Sequence, residues 1–149
     1  MKVGDLVLVV SLGEVKAYRA NPRTAEAEVG LKPEEFKLDL ATSIDILDSH
    51  KKLQDLVTDV RGEFKAGFLK RAHSGEKHNL ETEIYKAVVK VLAEEIDRLS
   101  ENEKRVFLAI PEHIANDVLK NVKNQDKIFK IVKKDLIKMD KNEIVESFK

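Results

Sequence analysis

Two runs of five residues without a polar side chain, Leu6-Val7-Leu8-Val9-Val10 and Val106-Phe107-Leu108-Ala109-Ile110, constrain this fold more than any other feature. Each is short, and the first is mostly β-branched, so both read as buried strands. The uniformly apolar second run is the mark of a strand covered on both faces. Ser11-Leu12-Gly13 is a turn after the first run, and Glu14 to Ala20 returns beside it as a hairpin partner before Asn21-Pro22. Phe36, Leu38 and Leu40 alternate with Lys37 and Asp39, the period of a half-buried strand. Ala25, Ala27, Val29 and Leu31 alternate in the same way and predict a further strand.

Helical spacing begins after residue 48. Leu53, Leu56 and Val57 predict a helix within Asp48 to Asp59. A longer one opens at Asn79, a good N-cap, with Glu81 and Glu83 suited to its positive end. Its apolar stripe is Tyr85, Val88, Leu92, Ile96 and Leu99, and it ends near Ser100. Pro111 starts another helix, where a missing N–H costs nothing, with Ile114, Val118, Leu119 and Val122 turned inward. Ile128 to Val132 is a short strand, and Asp140 caps a last helix carrying Ile144, Val145 and Phe148. The order predicts an α/β fold with a mixed sheet: an antiparallel hairpin or meander first, then strand–helix crossovers between parallel strands.

With 149 residues the chain is expected to form a single domain, 1–149, burying about two thirds of its unfolded surface. It has no cysteine, which excludes a disulfide scaffold, a thiolate zinc site and a cysteine nucleophile. Leu6 to Val10 is too short for a signal-peptide core or a membrane span, which predicts a cytoplasmic chain that does not insert into membranes. Net charge is zero but uneven. Nine acids oppose four bases from Glu26 to Asp59, and eight lysines oppose three aspartates from Lys120 to Lys141. Such asymmetry marks either a partner-binding face or a solvated surface.

Motifs for chemistry are mostly missing. There is no GxGxxG, no GxxxxGK[ST] and no GxSxG, so no cofactor and no catalytic residue is predicted. No two of His50, His73, His78 and His113 stand three or four apart on one helix, so no metal site is predicted. Carboxylate pairs such as Asp45 with Asp48, Glu94 with Glu95 and Glu101 with Glu103 are expected by chance in so charged a chain, and Glu94 lies one turn from Lys90 as in a surface ion pair. Asp5 alone is placed as a metal-binding carboxylate at a strand end would be, and its plainer reading is a solvated strand start.

The stretch from Arg61 to His78 has no period and three glycines, Gly62, Gly67 and Gly75. Irregular stretches of this length in compact domains are functional or disordered. Arg61, Gly62, Lys65, Lys70, Arg71, His73, Lys77 and His78 are the candidate site: basic side chains on a glycine-permissive loop can follow a phosphate backbone. Only Phe64 and Phe68 are aromatic there, which limits base stacking, and a solubilising loop is the alternative.

Several segments together resemble a known family: Leu6 to Ser11 with its hairpin, Asp55-Leu56-Val57-Thr58-Asp59-Val60-Arg61-Gly62, the long helix, Val106 to Pro111, Lys133-Lys134-Asp135-Leu136 and Asn142-Glu143-Ile144. They are similar to the bacterial "protein required for attachment to host cells" family, itself regarded as kin to the middle domain of peptide-chain release factor 1 and of pelota. The family pattern at the loop is closer to Asp-Arg-Pro-Gly-Arg, where this chain has Val60, Arg61 and Glu63. The resemblance implies a release-factor middle-domain-like, ribonuclease H-like sheet. No Gly-Gly-Gln occurs, so peptide release by that motif is not expected. The leading expectation is a non-catalytic, release-factor-like protein that binds RNA or the ribosome through the 61–78 loop and the lysines of the last third of the chain. The alternative is attachment to host cells through protein partners, and the third is a metal-dependent hydrolase or nuclease.

Overall fold

The computed structural model describes residues 1–51, 53–56 and 79–149. Among the described residues five strands form one open mixed sheet: β1 (Leu6–Val10), β2 (Glu14–Pro22), β3 (Phe36–Asp45), β4 (Val106–Ala109) and β5 (Ile128–Val132), in the spatial order β3-β2-β1-β4-β5. β2 is antiparallel to β1 and to β3, whereas β4 runs parallel to both β1 and β5. The N-terminal meander and the later crossovers expected of the sequence are thus both present in one α/β sheet. β1 and β4 are the central pair, buried at every position. That is why neither carries a polar residue: no side of them meets water.

Alternation along β1 and β4 divides the core in two. Leu6, Leu8, Val10, Val106, Leu108 and Ile110 point to one face, and Val7, Val9, Phe107 and Ala109 to the other. The first face is covered by α2 (Ile46–Ser49), α3 (Asn79–Ser100) and α4 (Glu112–Leu119). α3 inserts Ile84, Val88, Val89, Leu92, Ala93 and Ile96. The expected stripe is therefore offset: Tyr85 and Leu99 flank it while Ile84 is fully buried. Tyr85 instead spans to α4, its hydroxyl donating to Asp117 at 2.8 Å. Burial, then that bond, push the Tyr85 hydroxyl pKa well above its ordinary value. Leu53 and Leu56 also pack on this face, and Val57 lies outside the described residues.

The second face is covered by Leu136, Ile137 and the short α5 (Lys141–Ser147), which buries Ile144 and, just past its end, Phe148. Asp140 caps α5 as its position suggested, its Oδ1 accepting from the Glu143 N–H at 2.8 Å.

One expected strand is a helix. Residues 25–31 do not extend: α1 is Ala25–Glu28, with Thr24 Oγ1 accepting from the Ala27 N–H. A capping threonine closes the turn locally, and only Ala27 of the alternating set is buried. Val29 and Leu31 remain 72% and 75% exposed, so no sheet face existed for the alternation to fill.

Bulges re-aim both outer strands. Ala17 faces Thr42 and Tyr18 faces Leu40, which leaves Ala41 without a partner. Residues of β3 before the bulge (Phe36, Leu38) join the second face, and Ile44 after it joins the first. In β5 the pairing steps from Val106–Ile128 to Phe107–Lys130, so Phe129 is the extra residue.

Candidate interaction site at the outer edge of β5

The loop residues singled out for phosphate binding, Arg61, Gly62, Lys65, Lys70, Arg71, His73, Lys77 and His78, all lie outside the described residues. Among the described residues, no three His, Asp or Glu side chains are close enough together to hold a metal ion. Likewise no described helix is long and apolar enough to cross a membrane.

Asp5 is not a solvated strand start. It is 4% exposed, and Arg105 Nε and Nη2 donate to its two carboxylate oxygens at 3.2 and 2.8 Å, while the Lys2 N–H donates at 2.7 Å. The parallel register explains this: Leu6 faces Val106, so the residues just before each strand come side by side. Both are charged residues abutting an all-apolar run, a signal present in the sequence but invisible until the two runs are known to be neighbours. Beside them, Arg19 of β2 makes a bidentate pair with Glu103 at 2.5 and 2.8 Å.

The chance carboxylate pairs also separate. Asp45 caps α2 by accepting from the Asp48 N–H. Glu94 is exposed, but Glu95 is buried and accepts from Arg98 Nε and Nη2 at 3.0 and 2.6 Å, with His50 Nε2 3.2 Å away. This cluster ties α3 to the chain leaving α2.

Two of the exposed large apolar side chains, Phe129 and Ile131, lie on β5. The strand is entered through a 3-10 turn at Gln125–Lys127, and the Lys123 and Asn124 N–H groups donate to Asp97 just before it. The bulge then turns Phe129 outward, where it stays 60% exposed. Its ring is nevertheless held. It lies 5.4 Å from the buried Phe107 ring, and the Arg105 guanidinium sits 4.3 Å over its centre. Arg105 is itself oriented by the buried Asp5, so a half-buried ion pair positions a solvent-facing aromatic. Ile131, paired with Leu108, exposes 39% on the other face. β5 ends the sheet, so its outer backbone groups have no strand partner among the described residues.

Lysines flank this strand in the sequence. From Lys120 to Lys134 there are six lysines and one aspartate. Lys127 Nζ donates to the carbonyls of Glu101 and Glu103 and Lys130 Nζ to that of Phe148, bonds that orient the ammonium groups without neutralising them. An extended segment can pair with such a strand while apolar side chains cover Phe129 and Ile131 and acidic ones meet the lysines. The sequence marks Ile128 to Val132 only as a short strand. A single phenylalanine between lysines was the available clue to its exposure.

A cleft of about 510 Å³ opens at the opposite edge of the sheet, between β3 and α5, with Phe36 and Leu38 among its lining. Asp39 on its rim has a carboxyl pKa below the ordinary value, chiefly because Asn21 Nδ2 donates to it, with Lys37 and Lys141 adding.

No curated protein and no solved structure matches this chain. One family model does, that described as protein required for attachment to host cells, over residues 6–147. That match runs from the first residue of β1 to the last of α5 and takes in both central strands, the bulged β5 edge and the helices that cover the sheet. The chain therefore belongs to the family of proteins required for attachment to host cells.

Proposed function

We propose that this chain acts in attachment to host cells by binding a protein partner along the outer edge of β5. The observation that carries the reading is Phe129: 60% exposed, yet held against Phe107 and Arg105 on a strand that ends the sheet among the described residues. A ring immobilised before binding loses little entropy on contact, and preorganised aromatics beside arginine are the residues that dominate protein interfaces. The lysines around it would speed encounter with an acidic partner.

The test is complementation of a deletion strain with wild type or with Phe129→Ser combined with Lys133→Glu and Lys134→Glu. Attachment to host cells is expected to fall toward that of the uncomplemented strain. All three positions are on the surface, so folding stability should change by only about 1 kcal/mol. Full attachment by a stable triple variant would reject β5 as the contact.

The RNA- or ribosome-binding reading rests on the bases of residues 61–78 together with the lysines of the last third of the chain, and is tested separately. Co-sedimentation with ribosomes over a salt series should weaken steeply with salt, and alanine at Arg61, Lys70 and Arg71 should abolish it. Absence of the wild-type chain from the ribosome pellet at every salt concentration would end that reading.

A further inference from the structure

We propose that the cleft between β3 and α5 binds a free α-amino acid with a large apolar side chain. The cleft measures about 510 Å³, within the range of about 300–1,000 Å³ that small-ligand sites occupy. It lies at the sheet edge opposite β5, so the site is separate from the contact proposed there. Phe36, Leu38 and Val145 give it an apolar lining. Leu38 is buried and the other two are half-buried against the second core face, which holds them in place.

Four bases line the same cleft, Arg23, Lys37, Lys141 and Lys149. Three acids stand among them, Glu34, Asp39 and Glu146. Several of these charges are already matched. Glu146 pairs with Lys149 at 2.8 Å. Asp39 accepts from Asn21 Nδ2 at 2.8 Å, and Lys37 and Lys141 are near enough to help hold its carboxyl pKa below the ordinary value. Arg23 and Glu34 are different. Pro22 faces Phe36 and the Arg23 N–H donates to the Glu35 carbonyl at 2.9 Å, which brings both residues to one end of the cleft. Yet among the described residues neither the Arg23 guanidinium nor the Glu34 carboxylate makes a hydrogen bond or an ion pair.

The mixed signs select the ligand. A simple anion would meet Glu34, and a simple cation would meet Arg23 and the lysines, whereas a dipolar head avoids both repulsions. An α-amino acid carries its carboxylate and ammonium on one carbon, as neighbouring Arg23 and Glu34 require. The guanidinium can donate two N–H groups to the carboxylate, and Glu34 can accept from the ammonium. The side chain then lies on Phe36, Leu38 and Val145, where an aromatic ring adds stacking on Phe36 to its burial.

The test is titration of the isotopically labelled chain with L-phenylalanine, 3-phenylpropanoate and phenethylamine, read by amide chemical shifts at low ionic strength, where exposed charges are least screened. The three share one apolar body and differ in the head. Saturable shifts from phenylalanine are expected at Arg23, residues 34–38 and Val145. The two singly charged probes should bind about tenfold or more weakly, the scale of one lost charge-assisted bond. Arg23→Gln should weaken phenylalanine about tenfold and leave phenethylamine unchanged, and Glu34→Gln should weaken phenylalanine and leave 3-phenylpropanoate unchanged. Both positions are exposed, so the fold is retained. The β5 triple variant should bind phenylalanine as wild type does. No saturable shift up to the solubility of phenylalanine, shifts centred outside the cleft, or equal binding of all three probes overturns the proposal. Loss of binding in the β5 triple variant would overturn the location, and neither result bears on the attachment reading.

Discussion

Replacing Phe107 by alanine is expected to lower the free energy of unfolding by about 3–5 kcal/mol, a large share of the roughly 5–15 kcal/mol that holds a domain of this size. Phe107 is 2% exposed on a central strand and is the ring around which the second face is built. Phe148 meets it edge-on at 5.6 Å and Phe129 tilts against it at 5.4 Å. Among the described residues this face is covered by the short α5 and the segment around Leu136, a thin layer with few side chains to fill the space. Phe107→Leu, which keeps most of the volume, should cost about 1–2 kcal/mol. Phe129→Ala, at 60% exposure, should cost about 1 kcal/mol or less. Urea unfolding of the three variants reads this order from the midpoints at unchanged slope. Equal losses for Phe107→Ala and Phe129→Ala would mean that the second face is not a packed core.

Arg105→Met should cost about 2–4 kcal/mol, because it removes one partner of a buried charge pair while preserving the length of the side chain. Asp5, 4% exposed in the wild type, would keep the Lys2 N–H as its donor among the described residues. Arg105 is itself partly exposed, its side chain at 28%, which places the expected loss below that of a fully buried pair. The variant also withdraws the guanidinium from the Phe129 ring. The double variant Asp5→Leu with Arg105→Met should recover most of the loss, since no charge is then left unpaired. Thermal or urea unfolding of the full cycle measures the coupling. Independent, additive losses would show that the two side chains do not act as a pair.

Much of the architecture was legible in the chain. Leu6 to Val10 and Val106 to Ile110 declared themselves because a strand between two other layers has no position where a polar side chain is tolerated. The long helix showed its stripe, and Asp140 with Ile144 and Phe148 marked the last one, since capping and helical spacing are local properties. The strand expected over residues 25–31 failed for the same reason: Thr24 closes a turn with Ala27 whatever the alternation around it.

The contact surface was not legible. The loop that attracted attention by its bases, residues 61–78, lies outside the described residues, whereas the exposed ring is one residue of an ordinary strand. Phe129 faces solvent because β5 steps by one residue against β4, and a sequence carries no mark of a bulge. Asp5 meets Arg105, 100 residues away, only because two parallel strands align at Leu6 and Val106. Hydrophobic periodicity and capping act over a few residues, so most strands and helices, and which of them are buried, could be read from the chain alone. Which charges pair and which aromatic is left outside emerged only in the folded chain. Those outcomes depend on strand order and register, which arise from contacts between residues far apart in the chain.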